Sequence, residues 1–198
     1  MPKSGGKTEF FKLIEATLDR RSVLRIRYAY RLAKDIHRNQ SRKAVLAGEN
    51  PRYFEHPREV ALISMRHSLD VDLIIACLLH DTIEDGGGDP RDADEIELFL
   101  GTDVIRTIRG VSKVPKDGFF ERFAAYSDWR ARWVKACDRL HNLRTLPPGD
   151  AAFRQKQITE TMTKYQPLFE EMVTMVPDTY RKGARAIVDG IYHAMTMP

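Results

Sequence analysis

Cysteine is nearly absent: Cys77 and Cys137 are the two in 198 residues, and they form no CxxC pair. That excludes a disulfide framework and a closed thiolate zinc finger, leaving two reduced thiols inside apolar, helix-like sequence. No apolar run approaches the roughly 18 residues that cross a bilayer. The start, Met1-Pro2-Lys3-Ser4-Gly5-Gly6-Lys7, lacks the apolar stretch of a secretory signal and reads as a disordered tail. A large excess of positive charge is missing too, since 32 Lys and Arg face 28 Asp and Glu for a net charge of +4. A polycationic nucleic-acid binder is thereby excluded. The expectation is a cytoplasmic protein with neither a nucleic-acid nor a membrane partner, and a homo-oligomer is left open. No segment alternates with period two and no internal repeat occurs, so neither a sheet nor a solenoid is expected.

What is present is helical periodicity. With 42% hydrophobic and 30% charged residues the chain has the composition of a globular protein rather than a disordered one. Phe10, Phe11, Leu13, Ile14 and Leu18 recur at three- and four-residue intervals and predict a helix from Thr8 through Arg21. A second is predicted from about Val23 to His37, then a loop punctuated by Gly48, Asn50 and Pro51. His56-Pro57 opens a third helix, running to about His67. Asp70 caps a fourth, which Gly86-Gly87-Gly88 ends. Further helices are predicted from Asp94 to Leu100, from Gly101 through Ile108, and as one long element from Glu121 to Leu143. Another runs from Asp150 to Pro167, and a last from Arg181 to Met195. The reading is an all-α fold, a single domain over residues 1–198 of irregularly crossing helices.

Within the fourth helix, Leu73 to Leu79 is uninterrupted apolar sequence, and His80-Asp81-Thr82-Ile83-Glu84-Asp85 follows at once. On one continuous helix His80 lies under Glu84 and Asp81 under Asp85. Three acids there sit at the negative end of the helix dipole, an arrangement that a bound cation would offset. Asp138 likewise interrupts an apolar helix, and His56 begins another. An unpaired buried carboxylate costs several kcal/mol, so each needs a cation or several donors. Two imidazoles and two carboxylates suit manganese, iron or zinc better than calcium. His37, His67, His141 and His193 are read as surface or core histidines.

Three pieces resemble the HD-type hydrolase domain of RelA/SpoT enzymes, including the single-domain small alarmone hydrolases. They are His56-Pro57 with Val60-Ala61, Leu78 to Asp85, and Lys135 to Thr145. Gln40 to Lys43, Gly110 to Lys113 and Arg154 to Leu168 add weaker matches in family order, so that the resemblance spans about residues 22–170. It implies the HD-domain fold and hydrolysis of the 3′-pyrophosphate of (p)ppGpp to GDP or GTP and pyrophosphate, with Mn²⁺. Carried over, His56, His80, Asp81 and Asp138 would be the metal ligands, and Glu84 and Asp85 the catalytic acidic pair. Arg42 and Lys43 would meet the substrate's phosphates, and Asn142, Thr145 and Tyr165 its nucleoside. An adenosine alarmone or NADPH as substrate, or a catalytically silent alarmone-binding relative, are the alternatives. The loop before His56 is longer than the family's, and Phe169 stands where the family has alanine.

Overall fold

The computed structural model describes residues 7–41, 52–85, 90–147 and 149–197, with backbone alone at 85 and 90–92. Arg42 and Lys43 lie outside the described residues, as do the side chain of Asp85, the glycine triplet and residues 1–6 of the predicted tail. Among the described residues the only extended pairing is an isolated antiparallel bridge between Ser41 and Arg52. Everything else regular is helical, as the all-α reading expected.

Two helices are buried on nearly all sides, and the rest wrap them. The first is α4 (Val71–Leu79), in which every residue from Leu73 to Leu79 is buried. A helix apolar all round belongs in a core, and the run's lack of Gly and Pro lets it form. Asp70 caps it as predicted, its carboxylate accepting from the Asp72 and Leu73 amides at 2.9 and 3.1 Å. The second is α9 (Trp129–Arg144), buried without a break from Ala131 to His141. Around them pack α2 (Arg20–Ile36), α3 (Glu55–Met65), α7 (Thr102–Val111), α11 (Gln166–Met175) and α12 (Asp178–Thr196). Trp133 of α9 donates its indole N–H to Ser64 of α3 at 2.9 Å, satisfying both polar groups inside the core. Gly183 lets α12 approach closely, because a Cβ there would lie 2.6 Å from the His67 carbonyl oxygen. Cys77 and Cys137 are free and buried, as expected. Among the described residues no helix is long and apolar enough to cross a membrane.

Several boundaries differ from those the periodicity predicts. The first predicted helix divides: α1 (Lys7–Thr17) stops early, and Asp19 starts α2 by accepting from the Arg21 and Ser22 amides. The long helix from Glu121 to Leu143 is also two, α8 (Phe119–Tyr126) and α9, with Asp128 accepting from the Ala131 amide at 2.9 Å. In both places an Asp side chain offers the backbone an alternative to continuing, while the apolar spacing runs on undisturbed. The helix α6 (Pro90–Leu100) starts before Asp94, and α12 starts before Arg181. After α10 (Ala151–Glu160) the chain widens into a π turn, Thr161–Tyr165, instead of stopping at Pro167. The proline has no N–H for the carbonyl four residues back and crowds it, and the wider turn accommodates this inside the first turn of α11.

One difference reaches the candidate site. Helix α4 ends at Leu79, His80 and Asp81 form a turn, and a short α5 (Thr82–Asp85) begins after it. The Thr82 hydroxyl donates to the Leu79 carbonyl at 2.6 Å and closes the α4 end. The expectation of one continuous helix through Asp85 is therefore corrected: Glu84 and Asp85 belong to α5 and not to the last turns of α4.

Candidate metal centre

Three separate parts of the chain deliver four side chains to one buried point. His56 comes from the first turn of α3, His80 and Asp81 from the turn between α4 and α5, and Asp138 from the middle of α9. His56, His80 and Asp138 are buried, and Asp81 nearly so. The Asp81 Oδ2 atom lies 3.0 Å from His80 Nε2 and 3.7 Å from His56 Nε2. Asp138 Oδ1 lies 3.1 Å from His56 Nε2 and 3.8 Å from His80 Nε2. One ligand atom each from His56, His80 and Asp81 fall within 4.8 Å of one another, a span that a single ion can bridge.

Each of the four is held from behind. His80 Nδ1 sits 2.8 Å from the Cys77 carbonyl oxygen. A carbonyl only accepts, so Nδ1 carries the proton and a neutral His80 keeps its lone pair at Nε2. Asp81 Oδ2 accepts from the Tyr53 hydroxyl at 2.6 Å. Asp138 accepts twice, from Lys135 Nζ on Oδ2 at 2.9 Å and from the Asn142 amide on Oδ1 at 2.6 Å. His56 Nδ1 and His141 Nδ1 are 2.8 Å apart. Partners of this kind behind imidazole and carboxylate ligands fix their orientation and are typical of metal sites.

The charge in this cluster asks for a cation. Burial works against a charge on His80, yet the carboxylates of Asp81 and Asp138 together with the Cys77 carbonyl outweigh it and push its pKa up to about 9. Burial also opposes ionisation of Asp81 and Asp138, but the imidazoles beside them, and above all Lys135 beside Asp138, hold both carboxyls below the usual range. Burial pulls His56 down. His80 Nε2 is the telling atom: it is buried, lies beside Asp81 Oδ2, and completes no hydrogen bond among the described residues. With a pKa of about 9 the metal-free ring holds a proton at Nε2 between two ionised carboxylates, a place that a divalent cation can take instead.

The other predicted residues fall at varied places. Glu84, on α5, accepts from Lys113 Nζ at 3.1 Å and from the Lys113 amide at 3.3 Å, at a half-exposed rim. Asn142 reaches the centre through Asp138. Thr145 follows α9 and spends its hydroxyl on the His141 carbonyl at 2.9 Å. Tyr165 ends the π turn, buried against Phe120 and Phe169, with the Arg139 guanidinium 4.4 Å from its ring. Sequence reasoning missed Tyr53, Lys135 and His141 as parts of the centre. Lys135 stands three residues before Asp138, so helical spacing could have found it, whereas His141 meets His56, 85 positions away in the chain. Tyr53 and Asp81, 28 positions apart on different elements, gave no such signal.

Comparison with known proteins adds a family to this geometry. The family model described as HD domain matches residues 29–171. The bifunctional (p)ppGpp synthase/hydrolase SpoT of Escherichia coli is 34% identical over 169 residues, covering 79% of this chain and 23% of that protein. The guanosine-3′,5′-bis(diphosphate) 3′-pyrophosphohydrolase of Aquifex aeolicus is 36% identical over 152 residues, covering 72% of this chain and 21% of the relative. The chain thus spans less than a quarter of the length of these curated relatives. A solved structure described as a metazoan ortholog of SpoT that hydrolyzes ppGpp superposes with a TM-score of 0.62 at 25% identity, covering 88% of this chain and 97% of that one. With the matched segment running from α2 into α11 and enclosing the whole His-Asp cluster, the chain belongs to the HD-domain family.

Proposed function

We propose that this chain hydrolyses the 3′-pyrophosphate of (p)ppGpp, releasing pyrophosphate with GDP or GTP, and that Mn²⁺ is its ion. The observation that carries the reading is the convergence of His56, His80, Asp81 and Asp138 on one buried point. The relatives named above supply the substrate class. The two Nε2 atoms and the carboxylate oxygens facing them would hold the ion, and such a nitrogen-and-carboxylate set suits manganese. Bound there, a divalent cation supplies the positive charge that polarises a phosphoryl oxygen and makes water more acidic.

Hydrolysis joins a water oxygen to the phosphorus on the 3′-oxygen, breaks that P–O bond and leaves a proton on the ribose hydroxyl. Glu84 takes the proton of the attacking water, with Asp85 beside it in sequence. Lys113, hydrogen-bonded to Glu84, orients that carboxylate and brings an ammonium to the rim for the pyrophosphate. Arg42 and Lys43 add charge for the phosphates, and Asn142, Thr145 and Tyr165 receive the nucleoside. Two free, buried thiols support a reducing, cytoplasmic setting. The test is turnover of a panel of guanosine and adenosine 3′-pyrophosphates and NADPH by the purified protein with Mn²⁺. Conversion of ppGpp to GDP and pyrophosphate is expected. Absence of turnover of every 3′-pyrophosphorylated nucleotide refutes the reading.

A further inference from the structure

The His56–His141 contact has a consequence for the ligand set. The two Nδ1 atoms are 2.8 Å apart, the rings are 4.9 Å apart by centroid, and both residues are buried. At that separation one proton lies between the two nitrogens, because two lone pairs repel and two protons collide. There are two ways to place it on a neutral pair. If His141 donates, the His56 proton sits on Nε2 and points to Asp138 Oδ1, 3.1 Å away. In that arrangement the atom facing the cluster has no lone pair to give. If His56 donates instead, its Nε2 lone pair is free, and the His141 proton must move to that residue's own Nε2.

We infer that His141 is the positioning residue that makes His56 a ligand, accepting the His56 Nδ1–H on its own Nδ1 and so holding His56 in the tautomer whose Nε2 lone pair faces the cluster. The inference rests on the metal-centre reading given under Proposed function. It parallels His80, which is held in its tautomer by the Cys77 carbonyl. A carbonyl is a fixed acceptor, whereas an imidazole can accept or donate, so His56 is the one ligand whose readiness depends on a second titratable ring. Neutral His56 and His141 exchange the two arrangements without gaining or losing a proton, since each ring carries one throughout. A core-filling role would need only the ring's volume, and phenylalanine would serve it.

The test uses the full chain loaded with Zn²⁺, which is diamagnetic, and reads histidine ¹⁵N shifts. A protonated-type Nδ1 on His56 with an unprotonated-type Nδ1 on His141 is expected, and the reverse assignment overturns the inference. Mn²⁺ affinity is then compared across variants by electron paramagnetic resonance of the free ion. His141→Phe should weaken binding about 10–100-fold. His141→Asn, which sets an acceptor oxygen at the position of Nδ1, should recover most of that loss. Equal affinity in His141→Phe and the unaltered chain overturns the inference while leaving the metal centre standing. An unaltered chain that binds neither ion overturns the metal centre, and this assignment with it. If His141→Phe fails to fold, the ¹⁵N measurement on the unaltered chain decides alone.

Discussion

Replacing Lys135 by methionine keeps an unbranched side chain one atom shorter and removes its charge, which isolates what the ammonium does for Asp138. Both residues are only 5% exposed, and Nζ lies 2.9 Å from Oδ2. Burial opposes charge on Lys135, but Asp138 beside it outweighs that and raises its pKa, so the ammonium is ionised. Breaking a buried pair from one side leaves an uncompensated charge and costs about 3–5 kcal/mol. Asp138 keeps the Asn142 amide at 2.6 Å, which places the loss near the lower bound, about 3 kcal/mol. For a chain of this size that lowers the melting temperature by roughly 6–12 °C. The assay is calorimetry of protein stripped of metal with a chelator, alongside Asp138→Asn and the double variant. Removing both charges should cost less than the sum of the two single losses, by about 1–3 kcal/mol. Added Mn²⁺ should narrow the gap between Lys135→Met and the unaltered chain, because a cation at the cluster neutralises the carboxylate left behind. A metal-free variant melting within about 2 °C of the unaltered chain, less than 1 kcal/mol, refutes the reasoning, and so does a gap that widens with Mn²⁺.

The same cluster predicts an unusual pH dependence. His80 has a folded pKa of about 9 against an ordinary 6.5, so its contribution to the metal-free protein is full below the ordinary value and lost as pH rises through the folded one. The urea midpoint of stripped protein should therefore fall between pH 7 and 9.5, and Mn²⁺ should flatten the trend by taking the lone pair the proton held. A midpoint that is flat without metal refutes this. Glu84→Gln keeps a side chain that can still meet Lys113 but cannot take a proton. It should retain Mn²⁺ at unchanged affinity while turnover of ppGpp falls about 10²–10⁴-fold. A loss of ion binding in that variant would move Glu84 into the ligand set.

The sequence carried the interior of each element better than its ends, and the two Asp caps show why. At Asp19 and Asp128 the apolar spacing continues across the break, so periodicity alone joins what the backbone separates. The decision is local: the side chain of Asp19 binds the Arg21 and Ser22 amides, and that of Asp128 the Ala131 amide. Both are acids directly before a helical run, a cap signal that was available but weaker than the hydrophobic pattern. The turn at His80-Asp81 had no Gly or Pro to mark it. Its cause is tertiary, since Asp81 meets Tyr53 and the imidazoles only once α3 and α4 are packed.

The inner cluster was legible for a different reason from the outer one. An ionisable group inside an apolar run is conspicuous in sequence because burying it unpaired is so unfavourable. The order of residues alone therefore singles out His80, Asp81 and Asp138. The residues behind them carry no such mark: Tyr53 reads as an ordinary loop aromatic, and His141 as one more histidine on a helix. Their roles follow from contacts 28 and 85 positions apart in the chain, which only the fold brings together. Lys135 is the exception that sequence could have supplied. A lysine one helical turn before a buried Asp, in a segment with no room for solvent, has to be that acid's counter-ion or be unpaired itself. Reading buried charges in pairs at helical spacing, rather than singly, would have recovered it.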